Sequence, residues 1–175
     1  MRPRTIAIMQ PYFFPYAGYF RLFARSDLFV IYDCVQFPRR GWVHRNRLCG
    51  KSGALQWLTL PLQHAPVDTC IAALRFRPQG ADELRRQSRR FAALDTDSEA
   101  SRRWCGDLCD LSGTPVDYLE RTLHTVNRQL GLPFDCVRSS QMGLPRDLHG
   151  QDRILAIAKE LGAQRYVNTP GGRAL

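Results

Sequence analysis

Short apolar runs separated by turn-forming residues set the pattern of the first third of this chain. Residues 6–9 (Ile-Ala-Ile-Met) and 28–32 (Leu-Phe-Val-Ile-Tyr) are apolar throughout and too short for a useful helix, so both read as buried strands. Between them Pro11 and Pro15 forbid a regular helix in the aromatic loop that starts at Gln10. From Gly18 onward Tyr19, Phe20, Leu22 and Phe23 recur at helical spacing, and Ser26-Asp27 ends the segment. Residues 56–62 read as a third strand closed by Pro61, and residues 71–76 as a fourth.

Beyond residue 81 the period lengthens to three or four. Segments 81–93 and 114–130 read as helices, the second with Thr114 as cap, Pro115 at its first position and Gly131 as stop. A short strand at 134–138, a helix over 151–161 with Gly162 as its stop, and a last strand at 166–168 close the chain. Residues 94–103 are the most loop-like stretch. This order predicts an α/β fold: one domain over 1–175, an open, three-layer-like sheet of mainly parallel strands, and a helical segment at about 81–130.

Composition agrees with a compact domain, since 44% of the 175 residues are hydrophobic and 23% charged, which excludes a disordered chain. No run approaches the roughly 18 apolar residues of a membrane span, and no export signal precedes the first strand, so the expected location is the cytoplasm. The six cysteines follow no framework and are expected to be buried free thiols; Cys105 and Cys109, four apart, lack the further ligands of a zinc site, and no metal is expected. The formal charge of +9 is almost all arginine, because Lys51 and Lys159 are the only lysines. Arginine clamps phosphate and carboxylate in a plane, so the balance favours anionic partners in general without choosing among them; with no recognised RNA-binding signature in the chain, an anionic small molecule is expected ahead of nucleic acid.

Two strand ends carry the candidate chemistry. Gln10 and Tyr12 follow the first strand, where an open α/β sheet meets its ligands, while Phe13, Phe14 and Phe20 read as packing. After the second strand come Asp33, Gln36, Arg39, Arg40, Trp42, His44, Arg45, Asn46 and Arg47. The arginines supply donors for phosphate or carboxylate, Trp42 a stacking surface, and His44 and Asp33 are the candidate catalytic acid or base. The alternative is a solvated basic loop in which Asp33 pairs with an arginine. Near the end, Thr169, Gly171 and Gly172 form a loop whose backbone N–H groups could approach an anion, although the Lys-Ser/Thr pair of a Walker loop is missing. No cofactor is implied.

The stretches IAIMQPYFFPYAGYF, DLFVIYDCVQFPRRGWVHRNR, WLTLPL and DRILAIAKELGAQRYVNTPGGRAL resemble the WbqC-like family, which is associated with O-antigen and other surface-polysaccharide gene clusters. The resemblance covers the first sixty or so residues and the last twenty-five. It implies a group transferase, with glycine or aminoacyl transfer suggested for some members, acting on an activated sugar with a nucleotide-sugar or phosphorylated donor. Members usually continue past the Gly-Gly segment, so the resemblance also implies a chain shortened at its C-terminal end. The opening strand, loop and helix resemble those of nucleotidylyltransferase-like domains as well. There H-x-G-H binds phosphates; here Tyr16-Ala17-Gly18-Tyr19 stands in its place without either histidine, which argues against nucleotidyl transfer by that route.

Overall fold

The computed structural model describes residues 4–94, 99–145 and 147–169. They form two compact units: the first takes residues up to 11, 15–35 and those from 123 onward, and the second takes 12–14 and 36–122.

In the first unit β1 (Thr5–Met9), β2 (Leu28–Ile31), β5 (Cys136–Arg138) and β6 (Arg165–Val167) form one sheet in the order β5-β2-β1-β6. Every pairing is parallel: Ile6 opposite Leu28, Ala7 opposite Val167, Val30 opposite Val137. Because parallel strands are covered on both faces, β1 and β2 are continuously apolar rather than alternating. Side-chain alternation sorts the faces. Ile6, Ile8, Leu28 and Val30 pack with Ile157, Ile154, Ala158 and Leu161 from α5 (Gly150–Glu160) and the residue that follows it. On the other face Phe29 stacks on Phe23 of α1 (Ala17–Arg25) at 4.0 Å and meets Tyr19 at 5.7 Å. Helices on both faces give the three layers.

The strand order is that of a doubly wound sheet. The chain steps from β1 to β2 to β5 on one side, then crosses back through α5 to lay β6 against the free side of β1. The β1–β6 boundary is therefore the topological switch point, where such sheets hold ligands beyond the strand ends. Gln10 follows β1 and Asn168-Thr169 follows β6 at that edge.

The second unit pairs β3 (Arg45–Cys49) with β4 (Leu55–Thr59) in antiparallel register, Arg47 opposite Trp57. The other edge of β4 is closed by side chains. Thr59 N donates to Gln87 Oε1 and Gln87 Nε2 donates back to Thr59 O, both at 3.0 Å, and Arg90 Nη2 donates to the Trp57 carbonyl at 3.0 Å. Such side-chain closure removes a bare strand edge. Three helices complete the secondary structure: α2 (Gly80–Ser88), α3 (Glu99–Cys109) and α4 (Pro115–Gln129), within which the chain returns to the first unit. Leu58, Leu60, Ile71, Leu84, Phe91 and Tyr118 are fully buried here, and Phe13 packs on Tyr118 with ring centroids 6.2 Å apart.

Four expectations are corrected. Residues 71–76 are not a strand: Ile71–Ala73 is a 3-10 turn, and burial falls on Ile71 and Leu74, three apart, which is the period of that turn rather than of a pleat. The loop expected at 94–103 gives way to α3 from Glu99, whose carboxylate stands in the first helical turn and lies 3.9 Å from Arg103; residues 95–98 lie outside the described residues. The helix expected over 81–93 ends at Ser88, whose hydroxyl donates to the Arg85 carbonyl at 2.9 Å. Of the thiols, Cys109 is buried, Cys34, Cys70 and Cys136 are half-buried, and Cys49 is exposed because it ends β3 next to an open turn.

The Thr114 cap is present as a reciprocal pair. Asp117 N donates to Thr114 Oγ1 at 3.2 Å, while the Thr114 backbone N–H and hydroxyl both donate to Asp117 Oδ2 at 2.7 Å. Replacing Thr114 with Ala is expected to lower stability by about 1 kcal/mol, read from the urea-unfolding midpoint at unchanged m-value.

Candidate anion-binding site

Pairing with β4 turns what reads as a basic loop into a strand. Arg45 and Arg47, two apart on β3, share one face, and cross-strand register brings Trp57 to them. The Arg45 Cζ lies 4.4 Å from the Trp57 ring centroid and the Arg47 Cζ 5.6 Å. Trp42 meets Trp57 at 5.9 Å with the planes tilted by 34°. Both indoles remain open, Trp42 at 42% and Trp57 at 40% exposure, so two large rings and two guanidinium groups form a surface ledge. Arg45 Nη2 donates to the Arg40 carbonyl at 3.0 Å, and its Nε is buried without a partner. Exposed Arg39 donates to the Ala65 carbonyl, and Arg40 is exposed. Among the described residues, none of Arg39, Arg40, Arg45 and Arg47 forms an ion pair with a carboxylate.

Asn46, between the two arginines, is spent inside the protein. Its Nδ2 donates to the Phe13 carbonyl at 3.2 Å and the Phe14 carbonyl at 2.6 Å, and its Oδ1 accepts from Arg47 N at 2.7 Å. Phe13 N also donates to the Trp42 carbonyl at 2.9 Å. These bonds hold Phe14 at φ 51°, a left-handed conformation that costs a bulky residue energy and persists only where surroundings impose it. Half-buried Tyr12 belongs to the same loop. Gln36 likewise faces inward chemically: its Nε2 donates to the Val67 carbonyl at 2.7 Å, and its backbone bridges to Cys70.

His44 lines a separate cavity of about 260 Å³ in the second unit, with Phe37, Arg39, Gln63, His64, Arg77 and Glu83 among the walls. Phe37 presents its ring at 73° to the imidazole, centroids 4.9 Å apart. Burial, reinforced by the neighbouring Arg45 charge, lowers the His44 pKa to about 4, so the ring is neutral near neutral pH. Its Nδ1 is buried without a hydrogen-bond partner.

In the first unit the carboxyl edge of the sheet carries a second cluster. Asp33, 1% exposed, accepts from Ser139 Oγ at 3.0 Å, Ser140 N at 2.8 Å and Ser140 Oγ at 2.7 Å. Its carboxylate is thus held by serines rather than paired with an arginine. Arg153, 7% exposed in the first turns of α5, donates to the carbonyls of Leu148 and Pro145 and to the Cys34 sulfur at 3.4 Å. Nearby, burial raises the Tyr32 hydroxyl to about 12, with Cys34 adding and Arg153 opposing. Gln10 presents its carbonyl to the Tyr19 hydroxyl at 2.8 Å. The Thr169 N–H is taken by Asn168 Oδ1 at 2.7 Å, and Gly171 and Gly172 lie outside the described residues. Among the described residues, no three His, Cys, Asp or Glu side chains gather as a metal site would need, and no helix is long and apolar enough to cross a membrane.

Trp57, Ser139, Ser140, Arg77 and Arg153 join these clusters without having been singled out from sequence. Strict alternation about buried Leu58 and Leu60 would have turned Trp57 outward; the serines and Arg153 carry no local signal.

Sequence comparison matches residues 10–175 to the profile of the WbqC-like protein family. The chain belongs to the WbqC-like family. The uncharacterized protein Rv1507c of Mycobacterium tuberculosis is 45% identical over 60 residues, a match that covers 34% of this chain and 26% of that protein. No solved structure matches the chain.

Two outcomes follow for this WbqC-like chain. Because the folded His44 pKa lies below its unfolded value of 6.5, its contribution to stability is full above that value and is lost as pH falls toward about 4. The thermal midpoint should drop over that window, and His44→Gln should flatten the drop. Asn46→Leu should release Phe13 and Phe14 and cost about 1–3 kcal/mol, the price of orphaned carbonyls, read by chemical denaturation.

Proposed function

We propose that this chain is a cytoplasmic group transferase of O-antigen or other surface-polysaccharide biosynthesis. In this reading it holds an anionic donor, a nucleotide-sugar or a phosphorylated compound, and directs a small acyl or aminoacyl group to an activated sugar. The observation that carries the reading is the ledge of Arg45, Arg47, Trp57 and Trp42, where guanidinium charge lies against exposed indole with no carboxylate paired to it among the described residues. A protein that needed these arginines only for solubility would gain nothing by stacking them. Stacking keeps a guanidinium plane oriented, and with Arg45 Nη2 spent on the Arg40 carbonyl and its Nε buried, Arg45 Nη1 and the exposed Arg47 guanidinium remain for phosphate or carboxylate. The rings then offer their remaining area to a base or a sugar face.

His44 suits the proton-handling role because it is neutral at working pH and has an unpartnered Nδ1. With its pKa lowered to about 4 the ring is neutral but a weak base, and it gives a captured proton up again quickly. Arg39, on the wall of the same cavity, adds positive charge there, whereas Arg77 is paired with Glu83 of that wall at 3.2 Å.

A second reading draws on the same ledge, since paired tryptophans beside arginines also stack single-stranded bases. Thermal-shift screening of nucleotides, nucleotide-sugars, sugar phosphates and amino acids, followed by titration calorimetry, separates the two. The expected result is a nucleotide-sugar or phosphorylated ligand that raises the midpoint and binds about tenfold more weakly, about 1.4 kcal/mol, to Arg45→Ala. Absence of any shift, or equal binding by the variant, overturns the proposal. Oligonucleotide binding that falls steeply with salt and resists competition by nucleotide-sugars would favour the second reading.

A further inference from the structure

We propose that Ser140 is a nucleophile of this chain, activated by Asp33 and forming a transient acyl-serine ester; the inference rests on the group-transfer reading above. The geometry begins with proton counting around the Asp33 carboxylate. Ser139 Oγ accepts from the backbone N–H groups of Asp33 at 3.1 Å and Cys34 at 3.2 Å, so its single proton is committed to Asp33 Oδ1 at 3.0 Å. Ser140 N donates to the same Oδ1 at 2.8 Å. That oxygen is then fully occupied, and Oδ2 faces Ser140 Oγ at 2.7 Å, the short separation of a hydroxyl donating to a carboxylate. An ionised carboxylate only accepts, so the Ser140 proton points at Asp33 and its lone pairs point away.

Exposure assigns the roles. Asp33 is 1% exposed, so its dealings with a bound molecule are limited to the proton it exchanges at Oδ2 beside Ser140 Oγ, whereas Ser140 is exposed. The arrangement matches an activated nucleophile: hydroxyl and base within hydrogen-bond reach, the base in turn oriented by third groups, here Ser139 Oγ and Ser140 N. Its position after β5 places it at the carboxyl edge of the parallel sheet, where open α/β sheets carry out their chemistry. A purely structural clasp between β2 and β5 is already made by the two bonds to Oδ1. The bond from Ser140 Oγ to Oδ2 is additional to that clasp and sets the hydroxyl of an exposed residue against the buried base.

The step balances without a cofactor. Ser140 Oγ bonds to the carbonyl carbon of an activated acyl donor, such as an ester, thioester or acyl phosphate, while its proton passes to Asp33 Oδ2. The bond to the leaving group breaks, and that group departs with the proton handed on from Asp33 Oδ2, which leaves the carboxylate a base again. An acceptor hydroxyl or amine then attacks the ester carbon, loses its proton to Asp33, and Ser140 Oγ regains one as it leaves.

The probe is p-nitrophenyl acetate, quenched by acid and mapped by peptide mass spectrometry on the full chain. Acetylation of Ser140 should run about a hundredfold faster than that of exposed Ser52 and Ser112 in the same sample, the acceleration expected of a positioned general base. Ser140→Ala should abolish that label in a chain that still folds, with a lowered thermal midpoint because Asp33 Oδ2 loses its donor, and Asp33→Asn should slow labelling by a similar factor. Labelling of Ser140 no faster than of Ser52 and Ser112 overturns the proposal, and this comparison needs no variant to fold. The probe carries no phosphate or nucleotide, so its outcome is read separately from donor binding at Arg45.

Discussion

One buried carboxylate closes the longest excursion of the chain. β2 ends two residues before Asp33, residues 36–122 then form the second unit, and β5 must still return to lie beside β2. The return is pinned by Ser139 and Ser140, more than a hundred residues beyond Asp33, whose hydroxyls and backbone N–H all converge on its side chain and on the N–H groups beside it. Loop closure over such a separation costs only slowly more with length, so a few well-made bonds suffice to select the register. Desolvating a carboxylate is expensive, however, and the bonds work only because every one of them is made. The pairing of Val30 with Val137 and the placing of α5 over Ile8 and Val30 both lie downstream of that closure.

How much of this was legible depends on whether the deciding contacts are local. β1 and β2 could be read directly, because strands covered on both faces must be apolar at every position and few other structures require that over four or five residues. The caps and stops of α4 and α5 could be read for the same reason, since Thr114, Asp117 and Gly162 act within four residues of themselves. β3 could not. Arg-Asn-Arg-Leu-Cys has no alternating apolar face, and it is a strand because β4 stands beside it and Asn46 ties it to Phe13 and Phe14, 33 and 32 residues away.

The candidate site divides along the same line. The concentration of Arg39, Arg40, Arg45 and Arg47 around Trp42 was visible as composition. Which of them stacks, and on what, required the register that sets Arg47 opposite Trp57. Asn46 and Gln36 read as ligand residues by their chemistry, yet their amides bond backbone carbonyls at Phe13, Phe14 and Val67. An amide carries no sequence mark that distinguishes these uses. Asp33 was legible as important and illegible as to its partners, since serines a hundred residues away form no pattern with it.

The ledge and the His44 cavity are linked by one residue with two consequences. Arg45 contributes its charge to the stack on Trp57 and, through the same charge, helps hold His44 neutral. An anion bound against Arg45 would offset part of that charge, and the imidazole would then become easier to protonate. Donor binding and proton affinity are thereby coupled at adjacent positions of the chain, and by linkage the coupling is reciprocal: a proton on His44 would tighten the hold on the anion. Burial, the larger cause of the lowered pKa, is untouched by this exchange, so the shift is partial. With an anion in place the ring would be a better proton acceptor than without it, the direction the proposed group transfer needs.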